Sequence, residues 1–197
     1  MQDLSSNELL KFGVKLYQSR MYGASLLVVH GISFGLKVGK QLNIKWSDII
    51  DSKGNPKSIL KIDNKIIPIN QTCQEFNKKV YSILKNKITL NDYVYTSKKG
   101  IVYDTSNLSK NLKRYAKDIF DIDYPTLTTS SLERAWALSI VEANHYSTDS
   151  FTAVCEYMGK RSMKETIEFL GCEPIKRNEI GHGFDYIDSL KLNLDYV

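Results

Sequence analysis

Cysteine, proline and histidine are scarce in this chain of 197 residues, at three, four and three copies. Cys73, Cys155 and Cys172 are odd in number and lack metal-ligand spacing, so they read as reduced thiols rather than as a disulfide framework or a zinc site. No metal and no cofactor is expected. A basic-then-apolar leader is also missing, and the apolar run from Ala24 to Phe34 is too short and interrupted to span a bilayer. With no membrane expected, the cytoplasm is the expected location. There is no internal repeat, low-complexity tract or internal linker.

What is present suits one domain with a sizeable core, because 42% of the residues are hydrophobic. The formal charge of +5 is uneven. Gly171 to Val197 carry three Lys/Arg against five Asp/Glu, leaving +7 for the rest of the chain. Lys85 to Lys117 hold eight Lys/Arg and two Asp, a density suited to phosphate contacts and equally to a solvated basic surface.

Helical periodicity dominates. Ser5 with Glu8 forms a capping-box pattern before Leu9, Phe12 and Leu16, and Ala24 to Phe34 reads as a buried helix stopping near Gly35. Leu42, Ile44 and Trp46 alternate, and two β-rich stretches, Ser58 to Ile62 and Lys65 to Ile69, flank the turn pair Asp63-Asn64. Together they predict a small three-stranded antiparallel sheet. Thr72 with Glu75 predicts a capped helix to about Leu84, and Ser106 to Ile119 and Ser131 to Ala143 predict strong helices. Shorter ones are expected over Ser150 to Met158 and Met163 to Leu170.

The order of short motifs along the chain is similar to the catalytic domain of tyrosine recombinases, the phage-integrase family. Leu4-Ser5-Ser6-Asn7-Glu8 resembles its helix start, Phe34-Gly35-Leu36-Lys37 its T-G-x-R, and Leu42-Asn43-Ile44-Lys45-Trp46-Ser47-Asp48-Ile49 its L-x-W-x-D-I. Ile67-Pro68-Ile69 resembles V-P-L, and Tyr157-Met158-Gly159-Lys160 through Phe169-Leu170 resembles the nucleophile segment. The resemblance covers about Leu4 to Leu170. It implies a mainly α (α+β) fold, a helical bundle with that small sheet, over 1-170, followed by a C-terminal tail over 171-197. The family's separate N-terminal core-binding domain has no counterpart here, so either it is lacking or the sequence is a fragment.

The resemblance also implies that the reactive positions are degenerate. The first phosphate-holding Arg falls on Lys37, which keeps the charge but loses the planar fork. The His and second Arg of the H-x-L-R motif fall on Ser130 and Glu133, the latter reversing a charge. Ser130 and Glu133 also read as a plain capping box, and Glu133 as a partner for Lys37 or Lys160 in the former phosphate pocket. Lys61 is matched to the sheet-turn Lys, with Lys65 competing, and Lys160 replaces a His or Trp. Phe169 stands where Tyr attacks DNA, and a phenyl ring offers no heteroatom to bond phosphorus. No catalytic residue is therefore expected. Tyr157 and Tyr146 are the other tyrosines near the motif.

DNA binding needs basic and polar surface rather than a reactive centre. Thr105 to Arg114 resembles the family's helix that approaches the major groove. The expected contacts are Lys98, Lys99, Ser106, Asn107, Lys110, Asn111, Lys113, Arg114, Arg134, Lys160 and Arg161. Phe184, Tyr186, Ile187, Leu190, Leu192 and Leu194 in the tail supply apolar surface for docking on a neighbouring subunit as a homo-oligomer, or for packing on their own domain. The expected function is a non-catalytic DNA-binding protein, a regulator or accessory factor of a phage or other mobile element, with double-stranded DNA as partner. The alternatives are a divergent recombinase using a non-standard site or an active partner, and an interaction module that has also lost DNA binding.

Overall fold

In the computed structural model, residues 4–120 and 126–175 are described, and the apolar tail positions from Phe184 to Leu194 lie outside them. The chain opens as expected: Ser5 Oγ accepts the Glu8 N–H at 3.3 Å while the Glu8 carboxylate accepts the Ser5 N–H at 2.8 Å, starting α1 (Ser6–Gln18). This helix buries Leu9, Phe12 and Leu16 against α2 (Tyr22–Phe34). Nearly every α2 side chain is buried, and each large aliphatic one contributes roughly 1.5–3 kcal/mol. Gly35 ends α2 in the left-handed region at φ +59°, and a Cβ there would meet the Trp136 ring at 2.2 Å, so glycine is required on both counts.

Two short helices follow, α3 (Val38–Gln41) and α4 (Trp46–Ile49), then the hairpin β1 (Ile59–Ile62) and β2 (Lys65–Pro68). Ile62 pairs with Lys65 across Asp63-Asn64, and Asp63 takes φ +49°, as the two-residue turn requires. Among the described residues the sheet has two strands rather than three. Leu42, Ile44 and Trp46 are all buried, but Leu42 ends α3 and Trp46 begins α4, and only the link between them is extended, bridging through Lys45 to Tyr93. Val94 N–H donates to Ile44 carbonyl and Trp46 N–H to Asp92 carbonyl, both at 3.0 Å. The ladder stops there because Asp48 accepts the Lys45 N–H at 2.8 Å and starts α4.

The remaining helices are α5 (Gln71–Leu84), α6 (Thr105–Phe120), α7 (Thr129–Ala143), α8 (Thr148–Met158) and α9 (Met163–Leu170). Two caps fall on different residues from those predicted. Asn70, not Thr72, caps α5 by accepting the Cys73 N–H at 2.8 Å, while Glu75 accepts from the Gln71 amide. Thr128 with Ser131 caps α7, so Ser130 and Glu133 are not a capping box. One core joins α1, α2, α5, α6, the hairpin and, through Leu132 and Ala135, the first half of α7, and a second joins the rest of α7 with α8 and α9. Tyr157 packs against both.

A polar chain runs through the first core. His30, Asn77 and Tyr95 are all fully buried. Nδ1 of His30 accepts from the Tyr95 hydroxyl at 2.6 Å, and its Nε2–H donates to Asn77 Oδ1 at 2.7 Å. Burial pushes the imidazole down to about 4, with the Asn77 bond opposing.

Candidate functional site

The first turns of α7 present Glu133 to the segment after α2. Its carboxylate accepts the Val38 N–H at 3.3 Å and is half-buried. Burial holds this carboxyl above its usual range, against the pull of the Val38 N–H, then Lys37, then Lys160. Lys37 and Lys160 therefore lie within electrostatic reach of Glu133, while its hydrogen bond goes to the backbone beside Lys37. Ser130 is exposed one turn earlier and makes no part of this group.

Lys160 enters just after α8, which Gly159 terminates at φ +64°. Its ammonium sits 4.0 Å from the centroid of the Phe169 ring and 3.8 Å from the Glu165 carboxylate. Helix α9 carries both partners and is capped by Ser162 Oγ, which accepts the Glu165 N–H at 3.2 Å. Phe169 is half-buried at the edge of the second core, where the sequence pattern placed a nucleophile. A ring under a cation is a cation–π contact, and it offers no leaving or attacking atom.

On the other side, strand alternation separates the two candidate lysines of the hairpin. Lys61 is exposed and paired with Ile66, away from the site. Lys65 instead donates to the Tyr157 carbonyl, and its ammonium lies 3.8 Å from the centroid of the Tyr157 ring. Its pKa is pulled down by burial first and then by Lys40 and Lys37, so these cations share one field. Tyr157 itself stacks on Trp136 at 4.5 Å and donates its hydroxyl to Phe34 carbonyl at 2.5 Å, and burial pushes that phenol up to about 12. Sequence reading did not single out Trp136 or the Val38 N–H, because neither type carries a chemical signature of its own.

The second group lies on α6. Leu108, Leu112 and Ala116 are buried, which turns Ser106, Lys110, Arg114 and Lys117 outward along one face. Asn107 is exposed as well, whereas Asn111 and Lys113 are half-buried at the flanks. Lys98 and Lys99 are exposed at a turn shortly before the helix. Arg161 is exposed beside Lys160. Arg134 is placed differently from the expected DNA contacts: its Nη2 donates to Leu170 carbonyl at 2.9 Å, closing the end of α9. Among the described residues there is no group of His, Cys, Asp and Glu able to hold a metal ion, and no helix is long and apolar enough to cross a membrane.

This arrangement of helices and hairpin superimposes on solved recombinases. The XerA recombinase matches with a TM-score of 0.64 at 18% identity, over 86% of this chain and 58% of that one. The chain adopts a tyrosine-recombinase-like fold. The XerH site-specific recombinase bound to palindromic difH substrate matches at 0.60 and 17% identity, over 89% of this chain and 50% of that one. A lambda integrase dimer bound to a COC′ core site matches at 0.57 and 16%, over 94% of this chain and 63% of that one. This chain therefore spans between 50% and 63% of the length of these recombinase structures. No protein-family model and no curated protein matches the sequence. Within the recombinase-like fold, Lys37, Lys65, Glu133, Lys160 and Phe169 gather around one place, whereas Lys61 and Ser130 stay outside it.

Proposed function

We propose that this chain binds duplex DNA without cutting it and acts as a regulator or accessory factor of a phage or other mobile element. The observation that carries the reading is the contact between Lys160 and Phe169: a cation remains beside the position that the recombinase pattern gives its nucleophile, and the residue there has no atom that can attack. The reversed charge at Glu133 points the same way, since a carboxylate repels a transition state that needs cationic stabilisation. Tyr157 offers no substitute nucleophile, because its hydroxyl is spent on Phe34 and burial keeps it protonated.

DNA binding itself draws on the outward face of α6 and the lysines before it. Lys110, Arg114 and Lys117 are spaced to follow a phosphate backbone, and Ser106 and Asn107 supply donors at the helix start. The solved neighbours bound to a core site and to difH support the same partner for this fold.

Two assays on one preparation decide the reading. Fluorescence anisotropy with a mixed-sequence duplex is expected to show binding that weakens steeply with salt, and Lys110→Glu with Arg114→Glu is expected to abolish it. Nicked suicide duplexes are expected to give no covalent adduct on a denaturing gel. An adduct, or no binding at low salt, overturns the proposal.

A further inference from the structure

The segment between Tyr95 and Tyr103 is a small finger with a fixed root and an unusual tip. Thr96 and Val102 form an antiparallel bridge, Tyr103 N–H donates to Tyr95 carbonyl at 3.1 Å, and Ser97 N–H donates to Ile101 carbonyl at 2.8 Å. Gly100 N–H closes the tip on Ser97 carbonyl at 2.9 Å and takes φ +77°, which glycine allows without strain. At the root, Tyr95 is fully buried and its hydroxyl is held by His30 at 2.6 Å. Helix α2 approaches so closely that a Cβ on Gly23 would stand 2.0 Å from the Thr96 carbonyl oxygen. The finger is therefore preorganised rather than loose.

Its tip carries Lys98 and Lys99, both exposed, followed by Ile101 at 66% and Val102 at 40% exposure. Two adjacent aliphatic side chains are thus left in water beside two cations. Immediately after them, Asp104 accepts the Ser106 N–H at 3.3 Å at the start of α6, whose outward face is basic. Apolar tips flanked by cations match one partner chemistry well. The lysines suit phosphates on either side of a groove, and an aliphatic side chain between them suits a base step that it can enter and partly unstack.

We propose that Ile101 is an apolar wedge that enters a groove of duplex DNA and bends it, with Lys98 and Lys99 seated on the flanking phosphates. The inference rests on the DNA-binding reading above and deepens it. A wedge held on a rigid root adds affinity that does not depend on salt, because it releases no counterions. Lysine contacts do the opposite.

The experiment uses the full chain and a mixed-sequence duplex labelled at both ends, reading affinity across a salt series and end-to-end distance by energy transfer. Ile101→Ala is expected to weaken binding by about tenfold at every salt concentration, with an unchanged salt slope, and to leave the duplex straight. Ile101→Leu is expected to retain binding and bending. The Lys98→Gln/Lys99→Gln double variant is expected to flatten the salt slope by about two. If Ile101→Ala binds and bends as the parent does while the double variant loses affinity, the turn is electrostatic only and the wedge is refuted. If the parent binds the duplex but never bends it, the wedge is likewise refuted and the DNA reading survives. No duplex binding by the parent at low salt overturns both. Ile101 is exposed, so circular dichroism melting of each variant is expected to match the parent.

Discussion

The ammonium of Lys160 lies 4.0 Å from the centroid of the Phe169 ring. Each residue explains the other: a cation with a carboxylate at 3.8 Å and an aromatic face beneath it is well satisfied, and a ring at the edge of a core is partly shielded by the cation. The pair occupies the position where the recombinase sequence pattern carries its tyrosine.

Replacing Phe169 by Tyr restores the oxygen but not its surroundings. Phe169→Tyr is expected to give no covalent protein–DNA adduct on nicked suicide duplexes, because Glu133 still faces the same pocket and Lys37 cannot grip two oxygens at once. A band of adduct would show that the pocket stabilises charge better than its residues allow.

Glu133→Gln keeps an oxygen for the Val38 N–H and removes the charge. Duplex affinity is expected to rise about threefold to tenfold at low salt, because one carboxylate no longer repels phosphate or offsets the field of Lys37 and Lys160. Burial raises this carboxyl above its unfolded value, so the native protein binds the extra proton and loses stability as pH rises through that window. At neutral pH the glutamine variant is therefore expected to melt no lower than the parent, which differential scanning calorimetry measures.

His30 gives the opposite pH dependence. Its folded value of about 4 lies below the ordinary 6.5, so the unfolded chain takes up a proton first as pH falls. Stability is expected to be full above pH 6.5 and to decline between there and pH 4, by up to about 3 kcal/mol from this group. Asp51 is held low by backbone N–H groups, first Asn55, and loses stability in the same direction at lower pH. Imidazole NMR shifts separate the two: the His30 ring is expected to stay neutral down to about pH 4.

Gly23→Ala is expected to destabilise the fold by about 1–3 kcal/mol, because the new methyl overlaps the Thr96 backbone and a backbone cannot step aside as a side chain can. Gly39→Ala, with nothing within 4 Å of the added carbon, is the matched control and is expected to melt within a degree or two of the parent. Equal melting of both variants would mean that the finger is not anchored as described.

Local chemistry made much of the fold legible in the sequence. Ser5 with Glu8, Asp63-Asn64 and Gly35 each act within a few residues, and all three do in the structure what their types predict. Competition between neighbours misled elsewhere. Thr128 and Asn70 took caps that Ser130 and Thr72 also suited, because the winner depends on where the chain enters the helix. The alternation over Leu42, Ile44 and Trp46 reported burial correctly, but pairing is a relation to a distant segment, and the β-favouring run Tyr93 to Thr96 does not say in itself which segment it meets. The same limit applies to the site. Lys61 and Lys65 differ only in which face of a strand they take, and Arg134 closes a helix end 36 residues away.

The side chain of Tyr157 joins parts of the chain far apart in sequence. Its ring is pressed on Trp136, carries Lys65 on its face, and ties its hydroxyl to the end of α2. Helix α7 supplies Leu132 and Ala135 to the first hydrophobic cluster and Ala137 and Val141 to the second, and Tyr157 packs on both, so a helix and a phenol together hold the seam between them. Tyr157→Ala is expected to make the amide hydrogens of α8 and α9 exchange sooner than those of α1 and α2, while α7 keeps the two clusters joined.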